Sequence, residues 1–227
     1  MVEIIFENEN LVVVNKPAGI VVFSDNENEE SLAKIISKKI PVLRAMGKER
    51  YGAVHRLDKE TSGVLVFAKN KETFSSLQKE LLEKKAKKGY ITLVFRQVKD
   101  DKREICTFIE RSPKDRRKQR AFTDREGKRE AITSFKAIRK FKNFSLLQVK
   151  IKTGRKHQIR CHLASIGHPV AGDKLYRFKD QIDPKELKRH FLHASFLKIG
   201  GEKFIAKVPD ELKSIIKNLE KYDNQIR

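Results

Sequence analysis

The sequence predicts an α+β fold with many strands and three or four helices in one domain, residues 1–227. Three observations support this prediction. Short apolar, β-branched runs alternate with turn residues, apolar residues recur at helical spacing in a few longer segments, and no repeat or long linker interrupts the chain. With 227 residues, of which 39% are hydrophobic and 36% charged, the chain is long enough to bury a core.

The first 95 residues predict five strands and two helices. The strands are expected near 4–6, 11–14, 20–23, 63–68 and 90–95. The run GVLVFA at 63–68 is continuously apolar, which is typical of a strand buried on both faces. Ser31 caps a helix that ends before Pro41, and Asn70 caps a second helix that Gly89 closes.

The remaining residues predict a strand-rich region followed by two helices and two more strands. ICTFIE, EAITSFKAI and FSLLQVKI are expected to be strands between 105 and 151. A helix is predicted from about 155 to 166, terminated by Gly167. Strands near 192–199 and 203–208 follow, and Pro209 opens the last helix at its first position.

The charge of the chain indicates a polyanionic partner. Lys and Arg total 51 against 30 Asp and Glu, a formal net charge of +21. Such an excess repels itself in a compact protein, so RNA or DNA is the leading partner and an anionic membrane surface the second. A merely charged, solvated surface is the alternative. The two cysteines predict no disulfide framework. Without a signal peptide or a membrane-length apolar run, we expect a cytoplasmic protein that binds no membrane.

The stretch AVHRLDKETSGVLVFAK, residues 53–69, places Asp58 in a loop ahead of a buried strand. A rigid strand behind a loop carboxylate is a common way to position a reactive group. Neighbouring cations hold such a carboxylate ionised, as a nucleophile or general base requires. The alternative is equally physical: Asp58 forms a turn, or pairs with Arg56 or Lys59.

The stretch IKTGRKHQIRCHLASIGHPVAGDKLY, residues 151–176, predicts an anion-binding segment. If 155–166 is helical, His157 and Arg160 share a face, and Arg160 can reach an anion while the helix packs on the core. A surface cation is the alternative. His157, Cys161 and His162 suggest a metal, but their spacing does not place the three on one face, so we expect no metal site.

Two further features suit nucleic acid. Tyr90 follows a lysine-rich segment, where an aromatic ring can stack on a base, although such a tyrosine is also an ordinary core residue. RSPKDRRKQR, residues 111–120, holds six basic residues and one acidic residue. It contacts phosphates if RNA binds, and otherwise is a solvated loop.

Taken together, the ordered segments resemble the RluA-type pseudouridine synthases. HRLDKETSGVLVFAK resembles the central motif of that family, VVNKPAGIVV its first segment, and TGRKHQIRCHLASIGHPVAGDKLY its third. HFLHASFLKI resembles its late segment, and KKGYITLVF the strand that carries a tyrosine. The resemblance runs from about residue 6 to about 208.

The resemblance implies an enzyme that isomerises selected uridines in RNA to pseudouridine without a metal or organic cofactor. Asp58 would be the catalytic aspartate, Arg160 the basic residue that pairs with it, and Tyr90 the aromatic residue that packs on the target base. Arg56 would fill the space that the flipped nucleotide leaves. The implied fold is a large mixed, mainly antiparallel β-sheet flanked by helices and loops, with the catalytic cleft across its middle.

The expected RNA contacts combine these motifs with the basic run. They are Arg56, His55, Lys59, Thr61, Arg155, His157, Arg116 and Arg117. Because the first motif begins close to Met1, we expect no S4 domain, and we expect a monomer acting on ribosomal large-subunit RNA or transfer RNA. One alternative is a non-catalytic RNA-binding or ribosome-assembly protein that keeps this fold as a platform. A more distant one is a metal-dependent nuclease that uses His157 and His162.

Overall fold

The computed structural model describes residues 2–26, 28–124 and 127–225, which divide into two compact units. The first unit comprises the chain up to Lys88 together with Ala194–Lys207. The second comprises Gly89–His193 and the residues from Val208 onward. Each unit has its own sheet segment, helices and apolar core.

The first unit has its strands in the order β1-β2-β3-β9, with β10 paired to β9. The strands are β1 (Glu3–Glu7), β2 (Leu11–Lys16), β3 (Ser62–Ala68), β9 (Leu192–Ile199) and β10 (Glu202–Ile205). The helices are α1 (Leu32–Lys39) and α2 (Lys71–Leu82), followed in the case of α1 by a 3-10 turn at Pro41–Met46. All seven residues of β3 are buried, which explains the continuous apolar run.

The second unit has its strands in the order β4-β8-β7-β5-β6. The strands are β4 (Lys87–Phe95), β5 (Lys102–Arg111), β6 (Gln119–Phe122), β7 (Arg129–Lys140) and β8 (Phe144–Ile151). The helices are α3 (Gln158–Ser165) and α4 (Asp210–Gln225). Helix α4 packs Leu212 and Ile215 against Leu93 of β4 and Leu146 of β8.

The predicted α+β fold with a mixed, mainly antiparallel sheet is confirmed. Ser31 and Asn70 cap α1 and α2 as expected, because each side-chain oxygen accepts a backbone N–H of the first turn. That residues 1–227 form a single catalytic domain stays a prediction.

Several predicted boundaries are wrong. Residues 20–23 are not a strand, because their backbone turns toward α1, with Leu32 N–H donating to the Val21 carbonyl. Helix α2 ends at Leu82 rather than at Gly89, and β4 already begins at Lys87. Strand β10 spans only Glu202–Ile205, and α4 begins one residue after Pro209.

Within the described part of the chain, no helix is long and apolar enough to cross a membrane.

Candidate active site

Asp58 lies in the first unit on a loop that is anchored at both ends to buried structure. Before it, Val54 N–H donates to the Val66 carbonyl of β3 at 3.0 Å, and both Val54 and Leu57 are buried. After it, Thr61 N–H donates to the Asp58 carbonyl at 3.0 Å and closes a tight turn. The half-buried Asp58 carboxyl group is therefore carried on a backbone with little freedom.

A buried lysine, Lys16 at the end of β2, fixes the same turn. Its side chain is fully buried, and Nζ donates to the carbonyls of Pro17, Lys59 and Thr61 at 2.8, 2.9 and 2.9 Å. Gly19 N–H adds a bond to the Lys59 carbonyl at 3.0 Å. The NKPAG segment thus binds the backbone on the C-terminal side of Asp58, a role that the sequence analysis missed.

Gly63 at the start of β3 allows a close approach of two strands behind this loop. Its φ is +123°, and a Cβ at this position would meet the Ala194 carbonyl oxygen at 2.2 Å. Any side chain here would push β9 away from β3, so the TSG turn requires glycine.

His55 supports the loop as a neutral imidazole. Its Nε2 accepts the Val66 N–H at 3.4 Å. Burial, with a smaller contribution from the charge of Lys88, lowers the pKa of His55 to about 3. The side chain therefore carries no charge at neutral pH, so any RNA contact it makes is a hydrogen bond rather than an ion pair.

Arg56 and Lys59 are exposed, and Thr61 is buried. The Arg56 guanidinium lies 5.3 Å from the ring centroid of Phe23, and that of Arg50 lies 5.0 Å from the same ring. Phe23 therefore holds two cations next to the Asp58 loop through cation–π attraction.

In the second unit, Arg160 forms a buried ion pair with Asp173. Nε and Nη2 donate to the two carboxylate oxygens at 2.6 and 2.9 Å, and both side chains are almost completely buried. Asp173 also accepts the N–H groups of Leu175 and Tyr176. Burial alone would raise the pKa of Asp173, but the hydrogen bond and charge of Arg160 lower it below its ordinary value.

Tyr176 extends this network to the basic hairpin. The Arg160 guanidinium lies 5.2 Å from its ring centroid, and its hydroxyl accepts the Gln119 N–H at 2.6 Å. The same hydroxyl lies 3.1 Å from His157 Nδ1. Burial raises the pKa of Tyr176 well above its ordinary value, so the phenol stays protonated.

The predicted helical face shared by His157 and Arg160 is wrong, because α3 begins after His157. His157 has φ +53° in the left-handed region, and its side chain faces Tyr176 instead. The Gln158 side chain holds the residues before it in a loop, so the helix begins only at Gln158. Its Oε1 accepts hydrogen bonds from the Arg155 N–H at 3.0 Å and from the Thr153 hydroxyl at 2.8 Å. Arg155 Nε donates to the Glu130 carbonyl at 3.0 Å, so its guanidinium is held against β7.

Tyr90 lies on β4 and is 8% exposed. This burial is compatible both with an ordinary core tyrosine and with an aromatic residue at the edge of a site.

The basic run at 111–120 forms the end of a hairpin rather than a free loop. Strands β5 and β6 pair up to Arg111 and Gln119, which leaves only residues 112–118 outside the sheet. Arg116 and Arg117 are both exposed there. Arg117 is paired with Asp115 at 2.9 and 3.0 Å, and this hydrogen bonding lowers the pKa of Asp115 to about 2.

The residues that suggested a metal, His162 and Cys161, have other hydrogen-bond partners. The two ring nitrogens of His162 each lie 2.9 Å from a threonine hydroxyl, on Thr107 and Thr133. Burial lowers the pKa of His162 to about 4. Cys161 donates to the Gln119 carbonyl. In the described ranges no three His, Cys, Asp or Glu side chains come together as a metal site.

The structure thus brings the predicted residues together in two groups. His55, Arg56, Asp58, Lys59 and Thr61 share one loop of the first unit. In the second unit, Arg155, His157 and Arg160 lie on one segment that contacts the hairpin of Arg116 and Arg117 through Tyr176. The pairing of Asp58 with Arg160, and the role of Tyr90, stay predictions.

Four residues of this site were not predicted. They lie in the segments NKPAGIVVF, which holds Lys16 and Phe23, and AGDKLY, which holds Asp173 and Tyr176. For the two charged residues, the sequence around them could have indicated a buried charge. A lysine that directly follows a buried β-branched run, and an aspartate close after a helix, are both candidates for buried charge.

Comparison with known proteins places these residues in a family. A profile of the RNA pseudouridylate synthase family matches residues 10–165, which include the Asp58 loop and Arg160. The chain belongs to this family.

Relatives and structures of RNA pseudouridylate synthases agree with this assignment. An uncharacterised RNA pseudouridine synthase of Aquifex aeolicus is 45% identical over 82% of this chain and 59% of its own length. Ribosomal large subunit pseudouridine synthase D of Nitrosomonas europaea is 38% identical over 85% of this chain and 56% of its own length. The chain therefore spans somewhat more than half the length of these two relatives.

The fold is also shared with a solved structure. Human RNA Pseudouridylate Synthase Domain Containing 4 superimposes with a TM-score of 0.77 over 96% of this chain and 93% of its own, at 22% identity.

Proposed function

We propose that the protein isomerises selected uridines in RNA to pseudouridine, with Asp58 as the essential carboxylate. The observation that carries the proposal is the position of Asp58 within the family match, on a turn that a buried lysine and a fully buried strand hold in place. A reactive carboxylate requires a backbone of this rigidity. A turn-forming aspartate does not require a buried ammonium beside it.

Arg160 and Tyr90 complete the proposed catalytic set. Asp173 binds the Nε and Nη2 edge of Arg160, which fixes the plane of the guanidinium. An arginine held in this way can direct another N–H toward a second carboxylate, and we assign that role to Arg160 with Asp58 as its partner. Tyr90 packs on the target base.

Base flipping is part of the proposal. The target uridine must leave its stack before the bond between the base and C1′ can break, and this costs a few kcal/mol. Arg56 is exposed and carries a planar guanidinium, so it can occupy the space left by the base. His55, Lys59, Thr61, Arg155, His157, Arg116 and Arg117 are proposed as further RNA contacts.

Large-subunit ribosomal RNA is the proposed first substrate class, and transfer RNA the second. The name of the relative from Nitrosomonas europaea, a ribosomal large subunit pseudouridine synthase, supports the ribosomal substrate. We further propose that the protein works in the cytoplasm as a monomer and needs no metal or organic cofactor.

The test is pseudouridine mapping by carbodiimide modification and primer extension. Unmodified total RNA is incubated with wild-type protein and, in parallel, with Asp58→Asn. We expect new stops with the wild type and none with the variant. The rate of pseudouridine formation should fall at least about 10³-fold in the variant.

No new stop with the wild type, while RNA binding is intact, would overturn the proposal in favour of a non-catalytic RNA-binding protein. Stops of equal intensity with Asp58→Asn would overturn the role of Asp58. Activity that EDTA removes would contradict a mechanism without metal.

A further inference from the structure

The solvent-facing side of β5, β7 and β8 in the second unit carries a group of lysines. Strand register aligns Lys102 with Lys136 and Gln148, and places Ser134 beside Lys150 in the adjacent row. Lys152 follows at the end of β8, where it pairs with Glu104 at 3.2 Å. We call Lys102, Lys136, Lys150 and Lys152 the lysine face.

The lysine face lies on the opposite side of the sheet from α3. Side chains of successive strand residues alternate between the two sides. Thr107 and Thr133, which contact His162 of α3, are odd-numbered residues of β5 and β7. The lysines of these two strands are even-numbered and exposed. The lysine face is therefore separate from the Arg160 segment within this unit.

The arrangement is unfavourable for the isolated protein. Lys102 and Lys136 are direct cross-strand partners, and like charges placed opposite each other destabilise a sheet. Glu104, the acidic residue in the rows that contain these lysines, is already paired with Lys152. A binding partner with several negative charges would remove this repulsion.

The shape of the face favours a long polyanion over a small one. An open groove of about 400 Å³ runs along it, and its lining includes Lys102, Glu104, Lys136, Gln148 and Lys150. These charged side chains are exposed and spread over three strands about 4.8 Å apart, rather than converging on one point. Exposed lysines bind a single phosphate weakly, whereas a strand of phosphates gains from counterion release at each contact.

We propose that the lysine face is a second RNA-binding surface, which holds the phosphate backbone of substrate RNA outside the region around the target uridine. The choice of RNA as the polyanion rests on the proposed function. The surface would add affinity for long RNA without contacting the base that reacts.

The first experiment measures binding to a long ribosomal RNA fragment and to a short hairpin as a function of salt. The variant is Lys102→Gln/Lys136→Gln, and the matched control is Lys217→Gln/Lys221→Gln on α4, which removes the same charge from exposed positions. For the long RNA we expect roughly tenfold weaker binding of the variant, and a salt slope shallower by about 1.4, at 0.7 per phosphate contact. The short hairpin and the control should each change by less than about threefold.

The same variant should unfold at an equal or higher temperature than the wild type, because the cross-strand repulsion is removed. If the unfolding temperature is maintained while RNA affinity falls, the loss of affinity does not come from a loss of folded structure. Equal loss in the variant and the control would overturn the proposal, because it would show a general charge effect.

The second experiment uses Cys106, which is exposed in the row next to Glu104, while the other cysteine, Cys161, is buried. A photoreactive aryl azide on Cys106 should cross-link to long RNA. The control is the same label on Ser214→Cys of α4 in a Cys106→Ser background. A yield no higher than that of the control would overturn the proposal. Neither experiment requires turnover, so a protein without synthase activity would refute the proposed function and leave this test intact.

Discussion

At the scale of single residues, the site depends on two buried cations that hold other groups in place. Lys16 binds three backbone carbonyls around the Asp58 turn. Arg160 is bound by Asp173 through two hydrogen bonds. A buried charge is tolerated only where hydrogen bonds replace its lost hydration, so each cation requires its set of partners.

Replacing Lys16 with Met should damage both stability and activity. The substitution leaves the carbonyls of Lys59 and Thr61 without their charged donor, and such bonds contribute about 1.5–3 kcal/mol each. We expect the free energy of unfolding in urea to fall by at least about 2 kcal/mol. Lys59→Met in the same loop is the control, because its side chain is exposed. Equal stabilities would contradict the assigned role.

Replacing Asp173 with Asn should leave Arg160 buried without a counter-charge. Breaking such a pair costs about 3–5 kcal/mol. Because the pKa of Asp173 is lowered in the folded state, its stabilising contribution is present above about pH 4 and is lost as pH falls further. The difference in unfolding free energy between wild type and variant should therefore shrink as pH falls below about 4. The exposed Asp25→Asn serves as control, and a difference that is constant with pH would argue against the pair.

For Arg160 itself we expect a split between catalysis and binding. Arg160→Ala should lower kcat more than it weakens RNA affinity, because the proposed role is to keep Asp58 ionised and oriented. Arg160→Lys should not restore kcat, since an ammonium cannot reproduce the planar pair of hydrogen bonds to Asp173 and also bind a second carboxylate. Equal losses of kcat and affinity would make Arg160 an ordinary phosphate contact.

At the scale of elements, strands and helix caps follow local rules that the sequence displays. The apolar run of β3 and the caps Ser31 and Asn70 were predicted for this reason. Strand β6 was missed because four residues flanked by charges carry no periodicity, and it forms by pairing with β5. Helix α3 starts late because the Gln158 side chain binds the preceding loop and also Ile132 and Thr133 of β7. The contacts with β7 are tertiary, and no local pattern reports them.

Two histidines that pack against strands should make folding sensitive to mild acid. The pKa of His55 is about 3 and that of His162 about 4 in the folded protein, against about 6.5 when unfolded. Their neutral forms stabilise the fold fully above pH 6.5, and this stability is lost as pH falls toward those values. Between pH 6.5 and 4, each histidine adds up to about 1.4 kcal/mol per pH unit to the slope of the unfolding free energy against pH. When the unfolding free energy is measured in urea at several pH values, it should depend less on pH for His55→Gln than for the wild type. The same dependence on pH in both proteins would contradict this.

At the scale of the whole molecule, the net charge of +21 predicts how RNA binding responds to salt. If phosphate contacts supply most of the affinity, binding should weaken steeply between about 50 and 200 mM salt, with a slope of about 0.7 per contact for single strands. Filter binding with a ribosomal RNA fragment measures this directly. A flat response would show that the basic surface does not supply the affinity.

The candidate site was predictable to the extent that its residues lie in ordered motifs. The Asp58 loop, Arg160 and Tyr90 all lie in segments that the resemblance identified. Lys16 and Asp173 act through contacts with carbonyls and a guanidinium distant in sequence, so their role depends on the tertiary structure. The lysine face is likewise a property of strand register, since Lys102, Lys136 and Lys150 are scattered along the sequence.

The burial of Lys16 makes its acylation a measure of how often the Asp58 turn opens. An amine-reactive acylating reagent added to the folded protein would modify exposed lysines such as Lys59 quickly. Lys16 would react only in molecules whose Asp58 turn has opened, because Nζ is fully enclosed and bonded to three carbonyls. The rate at which mass spectrometry finds Lys16 acylated would therefore report how often the turn that carries Asp58 comes apart, and RNA that closes over the turn would slow it.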